Sequence, residues 1–372
     1  MRVLVTGGGT GGHVNPAIAI ANSIRDNIPG SVIEFVGTKR GIENKLVPKE
    51  GYKLHHIEIQ GIRRSLSPSN IKTMWLAFTS VFKAEKLIKE FKPDLVVGTG
   101  GYVSWPVVRA ASKLGIPCAL HESNAVIGFA VKMLEKHVDK LYVNFEETIK
   151  TLKYPEKAVR VGNPLRSGFM ENDKSAARRE LGIDGKYKYF ILSCGGSMGA
   201  EPINNAVIAF MRDYAVNHPE ILCVHATGSL EYEAAKKQFD DLGLGKYENI
   251  QLLEYIYDMP IRMAAADLVI GRAGAMTLSE LAISGKPCIL IPSPYVTNNH
   301  QYKNAKVLSD ADAAVLIEEK NITDKTLPET IESLFGDAKK LDKMSNNIKK
   351  FAVPDASGKL FEELKKLADT GK

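Results

Sequence analysis

The chain is poor in cysteine. It has four in 372 residues (Cys118, Cys194, Cys223 and Cys288), each in an apolar run and no two in C-x-x-C spacing. That excludes a disulfide scaffold and the common zinc patterns, and suits buried free thiols in a reducing cytoplasm. No apolar run approaches the length of a membrane span. Met1-Arg2 leads straight into a short β run, so no secretory leader is expected. What is present is ordinary for a globular protein: 44% hydrophobic and 25% charged residues. The length exceeds one compact core and suits two domains. The net charge of +6 is uneven: residues 1–164 hold 23 Lys and Arg against 14 Asp and Glu, and the remainder 26 against 29. A basic N-terminal half points to an anionic partner there, whether nucleic acid, phospholipid or phosphate.

The N-terminal half alternates short β runs with glycine-rich turns and helices. Arg2 to Thr6 feeds Gly7-Gly-Gly-Thr-Gly-Gly-His13, and a helix opens near Pro16. Gly7, Gly9 and Gly12 satisfy G-x-G-x-x-G, but the acid that should end the second strand is missing. Val32 to Val36 ends in Gly37-Thr-Lys-Arg40, with Glu34 inside the run, which disfavours a dehydrogenase. The glycines let the backbone approach a bulky phosphate or sugar. His13, in the first helical turn, is a candidate phosphate donor or general base. The strand Asp94 to Gly98 ends in a second glycine loop, Gly98 to Tyr102, and Pro117 to Leu120 runs into His121-Glu122-Ser123-Asn124. Ligands of open α/β sheets gather beyond the carboxyl ends of strands, so these three ends predict one cleft.

Between them lies a strand-like Lys53 to Ile59, the basic turn Gly61-Ile-Arg63-Arg64, and a helix from about Ser69 to Phe91. At 100° per residue, Ile71, Met74, Trp75, Phe78 and Phe82 share one sector, with Lys72, Lys83, Lys86 and Lys89 on or beside it. Basic plus aromatic suggests contact with an anionic bilayer; a helix buried on both sides, or a protein–protein contact, is the alternative.

Turn chemistry at Val159 to Arg166 marks a domain boundary near 164–170. Beyond it the alternation restarts, with a third glycine loop at Gly195-Gly-Ser-Met-Gly-Ala200. Leu268 to Ile270 precedes Gly271-Arg-Ala-Gly274 and a helix from Thr277 to Ser284, whose N–H groups and dipole suit a diphosphate. Glu280, about one turn inside, suits a vicinal diol such as a ribose. The strand Cys288 to Ile291 ends at Pro292 and is followed by the polar Asn298-Asn299-His300-Gln301. Asp310 and Asp312 form a D-x-D pair read as a helix end. Two βαβ halves imply an α/β fold of two Rossmann-like domains.

The blocks GGGTGGHVNPA, GTGGY, HESN, GNPLR, GGSMGA, EYIYDM, RAGAMTLSE and NNHQYKNA, in this order, span nearly the whole chain. They resemble the MurG-type family of bacterial transferases, which add N-acetylglucosamine to lipid I in peptidoglycan synthesis. The resemblance implies a GT-B fold, with the two parallel sheets facing each other across a cleft. Residues 1–164 would be the acceptor and membrane-associating domain, 165–352 the UDP-GlcNAc-binding domain, and 353–372 a helix returning to the first domain. Arg166 and Ser197 would meet the diphosphate, Ile256 the uracil, Glu280 the ribose and Gln301 the sugar. The backbone of Ala275, Met276 and Thr277 would sit near the phosphates. Thr10, Gly11, Gly12, His13 and Asn124 would reach the reaction centre. Tyr102, Gly196, Asn204, Arg272, Gly274, His300 and Asn304 complete the substrate-binding set. Ile71, Lys72, Trp75, Phe78 and Phe82 match the family's membrane patch. Met198 stands where the family often has Gln or Leu, and Val131 where an amide is common.

The implied reaction is inverting transfer to the 4-hydroxyl of lipid-linked N-acetylmuramoyl-pentapeptide, with His13 as first choice of base and Glu122 as second. Helix N-termini and loop amides would meet the leaving charge, so no cofactor and no essential metal are expected. The partners implied are UDP-GlcNAc, undecaprenyl-linked lipid I, an anionic phospholipid surface and cell-wall synthesis proteins, but no nucleic acid. The location implied is the cytoplasmic face of the cell membrane, as a peripheral protein. The rivals are a UDP-sugar transferase to another lipid such as diacylglycerol, a UDP-GlcNAc 2-epimerase, an NAD(P)-dependent oxidoreductase, and a non-catalytic nucleotide-sugar-binding subunit.

Overall fold

The computed structural model describes residues 1–59, 69–165, 168–170 and 173–371, with backbone only for 69–74 and 77. The basic turn at Arg63 and Arg64, and Arg166, lie outside the described residues, as do the side chains of Ile71, Lys72 and Met74. The chain divides into two units, Met1–Leu165 with Val353–Lys372, and Arg166–Ala352.

The first unit holds β1 (Arg2–Thr6), β2 (Val32–Gly37), β3 (Lys53–His56), β4 (Leu95–Gly98), β5 (Cys118–Glu122), β6 (Lys140–Val143) and β7 (Ala158–Arg160). They form one parallel sheet in the order β3-β2-β1-β4-β5-β6-β7. Strands buried on both faces read as unbroken apolar runs, and Val3-Leu4-Val5 and Leu95-Val96-Val97 are fully buried. One face is covered by the Gly11–Asn27 helix, through Val14, Ala17, Ile20, Ala21 and Ile24, and by the terminal Ala356–Asp369 helix, through Leu360, Phe361 and Leu364. The other is covered by the Ser69–Phe91 and Ser104–Lys113 helices.

The second unit holds β8 (Tyr189–Cys194), β9 (Ile221–Ala226), β10 (Ile250–Leu253), β11 (Leu268–Gly271), β12 (Cys288–Leu290) and β13 (Val315–Leu316), parallel in the order β10-β9-β8-β11-β12-β13. Each sheet reverses its winding once, between β1 and β4 and between β8 and β11. Such a switch point leaves a crevice at the strands' carboxyl ends, where ligands of α/β folds bind. Four glycine-rich loops, after β1, β4, β8 and β11, flank these two points.

Several boundaries differ from the sequence reading. The first helix starts at Gly11, not near Pro16. Proline removes one rung of its ladder, and the carbonyl that loses it belongs to exposed Gly12, where water can compensate. β3 stops at His56, short of Ile59. β5 runs on through His121 and Glu122, because its ladder to β6 pairs Glu122 with Val143. The helix after β11 starts two residues early, at Ala275, and ends on Gly285 in the left-handed region (φ +62°). The terminal helix is longer than Lys359 to Leu367, capped at Asp355, whose carboxylate accepts from Gly358 N. The Asp310-Ala-Asp312 pair does end a helix; its carboxylates pair with Lys306 and Lys343.

Candidate functional site

In the first unit the loops after β1 and β4 interlock at the switch point. Thr99 N donates to Thr6 O (2.8 Å), and Thr99 Oγ1 to His13 O (2.7 Å). Ser104 Oγ donates toward Thr6 O and Gly100 O. The glycines of the first loop fall into two groups. A β-carbon on Gly7 would strike the Thr99 hydroxyl, and one on Gly8 would lie 2.6 Å from Glu43 Oε1. Those two admit the protein's own side chains. Gly9 (φ +88°) would meet nothing, and Gly11 and Gly12 have only distant neighbours, so the open side of the loop is the second stretch. The expectation that the glycines admit a ligand therefore holds space for Gly9, Gly11 and Gly12 but not for Gly7 and Gly8.

His13 is half-buried on this loop. Its Nδ1 lies 3.2 Å from Gly8 O and 3.5 Å from Thr10 Oγ1. A carbonyl only accepts, so Nδ1 carries the proton in the neutral ring and the lone pair sits on Nε2. That is the tautomer a base needs. Thr10 and Gly12 are exposed, and Tyr102 is 50% exposed on the neighbouring loop.

Glu122, the alternative base, is 5% exposed and fully engaged. Oε1 accepts from Asn124 N and Asn124 Nδ2 (3.0 Å each), and Oε2 from Gly128 N (2.8 Å). Three donors occupy the carboxylate. In this structure the Glu122 carboxylate shapes the loop that presents Asn124. Glu34, which the fingerprint failed to use, pairs with His55 (2.5 Å) and Lys53 (3.2 Å) on the sheet edge.

Glu43 was missed by sequence reading. It lies in the first turn of the Glu43–Lys49 helix and is wholly buried. Oε1 accepts from Thr38 N (2.9 Å) and Thr38 Oγ1 (2.8 Å), and Oε2 from Gly9 N (2.9 Å). Burial alone would raise its pKa; the bonds from Thr38 and Gly9 outweigh that and hold it below the ordinary carboxylate value. Local sequence offers no signal for a contact across 34 residues.

In the second unit the Ala275–Ser284 helix starts behind β11 with no side-chain cap from Gly274. The positive end of its dipole lies at the carboxyl end of β11, the arrangement that favours an anion at a helix N-terminus. Glu280, half-buried in the second turn, lies near the end of β8: after burial, which is opposed by a hydrogen bond from Gly196, its charge helps push the Cys194 thiol up to about 11. Gly196 (φ +102°) and Ser197 are exposed on the β8 loop. Ser197 O accepts from Ser229 N (3.1 Å), which ties that loop to the next. His300 Nδ1 donates to Thr297 O (2.9 Å). Gln301 Oε1 accepts from Ser293 N (2.8 Å). A hollow of ≈ 360 Å³ opens beside them, lined by Pro202, Pro292, Pro294, Tyr295, Asn299, Tyr302 and Glu318 to Lys320.

Four expected ligand residues turn inward. Asn204 is 2% exposed; its Nδ2 donates to Thr227 O (3.1 Å) and its Oδ1 accepts from His225 Nε2 (3.0 Å). Asn304, fully buried, donates to Ala273 O (3.2 Å) and fixes the β11 loop from behind. Arg272 reaches Glu319 (2.6 Å) and Ile291 O (3.1 Å), since a largely buried guanidinium must find a partner. Ile256 is 4% exposed, so only its main chain can meet a base. The resemblance implied ligands at these positions; in this structure the first three side chains bond to buried protein groups.

On the Ser69–Phe91 helix, Trp75, Phe78 and Phe82 are 66%, 60% and 51% exposed. The alternative of a helix buried on both sides is therefore wrong for this stripe. Phe78 and Phe82 meet edge to face at 5.0 Å, and Lys113 lies 5.7 Å from the Phe82 ring. No described helix is long and apolar enough to cross a membrane. Among the described residues no group of three or more His, Cys, Asp or Glu side chains is arranged to hold a metal ion.

Comparison with known proteins finds one family domain in each half of the chain. Residues 3–143 match the glycosyltransferase family 28 N-terminal domain, and 190–360 the glycosyltransferase family 28 C-terminal domain. Proteins named UDP-N-acetylglucosamine--N-acetylmuramyl-(pentapeptide) pyrophosphoryl-undecaprenol N-acetylglucosamine transferase are similar over the full length. That of Acetivibrio thermocellus is 42% identical, covering 98% of each chain, and transferase 1 of Bacillus cereus is 42% identical, covering 99% of each. Among solved structures, Acinetobacter baumannii MurG matches with a TM-score of 0.78 and 29% identity over 98% of this chain and 99% of that one. A UDP-GlcNAc 2-epimerase from Neisseria meningitidis matches at 0.65 with 16% identity, a likeness of fold alone.

Proposed function

The chain belongs to glycosyltransferase family 28, and we propose that it moves N-acetylglucosamine from UDP-GlcNAc to the 4-hydroxyl of the N-acetylmuramoyl residue of lipid I, giving lipid II. The observation that carries this reading is the 42% identity to named transferases over 98% of the chain, with both family domains present in order. The epimerase rival has only the common fold behind it.

In this reading the acceptor oxygen attacks the anomeric carbon from the face opposite UDP. The new C–O bond forms as the bond to the β-phosphate oxygen breaks, and that electron pair leaves with UDP. His13 Nε2 takes the acceptor proton, a role its Nδ1–H bond to Gly8 O prepares. The first-turn amides of the Ala275–Ser284 helix and the exposed loop at Gly196 and Ser197 meet the diphosphate charge, with no resident metal required. Glu280 accepts from the ribose hydroxyls. The exposed Trp75, Phe78 and Phe82 rest on an anionic bilayer, so the protein works at the cytoplasmic membrane surface, where its lipid-linked acceptor lies.

The test is UDP release from UDP-GlcNAc in EDTA, with and without a short-chain lipid I analogue. Acceptor-dependent release is expected. Release that ignores the acceptor, or conversion of the donor sugar alone, would overturn the transferase reading.

A further inference from the structure

The amide and the carbonyl that join Gly8 to Gly9 belong to one planar peptide unit, and both ends are gripped. Gly9 N–H donates to Glu43 Oε2 (2.9 Å), and Gly8 C=O accepts from His13 Nδ1 (3.2 Å). We propose that Glu43 is a positioning residue for His13, acting through this single peptide unit. The proposal rests on the reading of His13 as the base.

The space around Glu43 is built for this contact. A β-carbon on Gly8 would lie 2.6 Å from Glu43 Oε1, one on Gly37 would lie 2.6 Å from its Cγ, and one on Gly41 would overlap the carboxylate. Three glycines, one in the β1 loop, one ending β2 and one in the loop after it, thus open a slot that leads the carboxylate to the back of the β1 loop. Thr38 takes the other oxygen by N–H and hydroxyl, so rotation of the carboxylate is blocked. The Thr38 turn is itself held by Asn44 Nδ2, which donates to Thr38 O (2.7 Å) and Gly41 O (2.9 Å).

The peptide is rigid about its C–N bond, so fixing its N–H fixes the direction of its C=O. An anionic acceptor on the N–H also polarises the peptide and strengthens the bond its carbonyl accepts. Both effects act on His13 Nδ1–H: they select that tautomer and orient the ring. A carboxylate bonded directly to a functional histidine does the same in many sites. Here one peptide is interposed. Gly100 completes the seat, because a β-carbon there would lie 2.7 Å from His13 Cδ2.

The test combines spectroscopy and kinetics on the full chain. In the wild type, 15N shifts of the neutral His13 ring should show the proton on Nδ1; a proton on Nε2 overturns the proposal without any variant. In Glu43→Gln the uncharged amide cannot accept at both oxygens' positions, so the fixed tautomer should be lost. Its kcat should fall by about ten- to a hundred-fold, the range for losing the orienting partner of a functional histidine, with KM for UDP-GlcNAc unchanged. In the double variant with His13→Ala, kcat should fall no further than in His13→Ala alone. An unchanged tautomer in folded Glu43→Gln, or a full additional loss in the double variant, would overturn it. Near-full activity of His13→Ala would instead remove the base reading, while the ring spectrum still decides whether Glu43 orients His13.

Discussion

Gly100 makes room for the imidazole of His13. A β-carbon on Gly100 would stand 2.7 Å from His13 Cδ2 and 3.0 Å from Nε2, and Gly100 itself has φ +109°. The two residues belong to different loops, after β4 and after β1, that meet because β1 and β4 are neighbours in the sheet.

His13→Ala should lower kcat by about 10²- to 10⁴-fold, the usual worth of a positioned base, while UDP affinity is retained. Gly100→Ala should also lower kcat, since it strains the backbone and displaces the ring. Steady-state kinetics beside UDP titration separates the terms; near-wild-type turnover of His13→Ala would sink the assignment.

Glu280→Ala should weaken donor binding by about ten- to a hundred-fold, the equivalent of ~1.5–3 kcal/mol for hydrogen bonds to a charged group. The diagnostic comparison uses a 2′-deoxyribose donor analogue. Wild type and variant should bind it with similar affinity if the ribose diol is the partner; an undiminished gap would place the Glu280 contact elsewhere.

Replacing Trp75 and Phe78 by Glu should reduce sedimentation with anionic vesicles and leave UDP binding intact, because the stripe is exposed and lies in the unit other than the donor site. Binding should also weaken with added salt, as charge attraction to a surface does. Unchanged vesicle binding would refute the membrane contact.

The fold should weaken in mild acid. His121 donates Nε2–H to Gly162 O, and His225 bridges Ser193 Oγ and Asn204 Oδ1; burial pushes both pKa values down to about 4 from the ordinary 6.5. As pH falls the unfolded chain takes these protons first. Their contribution is fully present above 6.5 and is lost on the way down to about 4. Each approaches a slope of about 1.4 kcal/mol per pH unit within that window. Urea unfolding between pH 7 and 4 measures it, and His225→Gln should flatten the slope. An equal slope in that variant would contradict the assignment.

Much of the architecture was legible in order along the chain. Apolar runs such as Tyr189–Cys194 and Ile221–Ala226 coincide with β8 and β9, because strands buried on both faces must be apolar throughout. Ser69–Phe91 was legible from its helical stripes. Residue type does not say which way a polar side chain turns. Asn204, Asn304 and Arg272 have the chemistry of ligands, yet each satisfies a buried neighbour.

The amino-acid sequence by itself determined the two-unit α/β plan and the four glycine loops at strand ends, and it singled out His13 and Glu280 as candidates, since periodicity and turn chemistry act over a few residues. Only the tertiary structure decided which groups hold those residues. Glu43 reaches Gly9 across 34 positions because β2 lies beside β1, and Gly100 meets His13 because β4 lies on the other side. Strand order is settled by packing of the whole sheet, so contacts that cross it have no local signature.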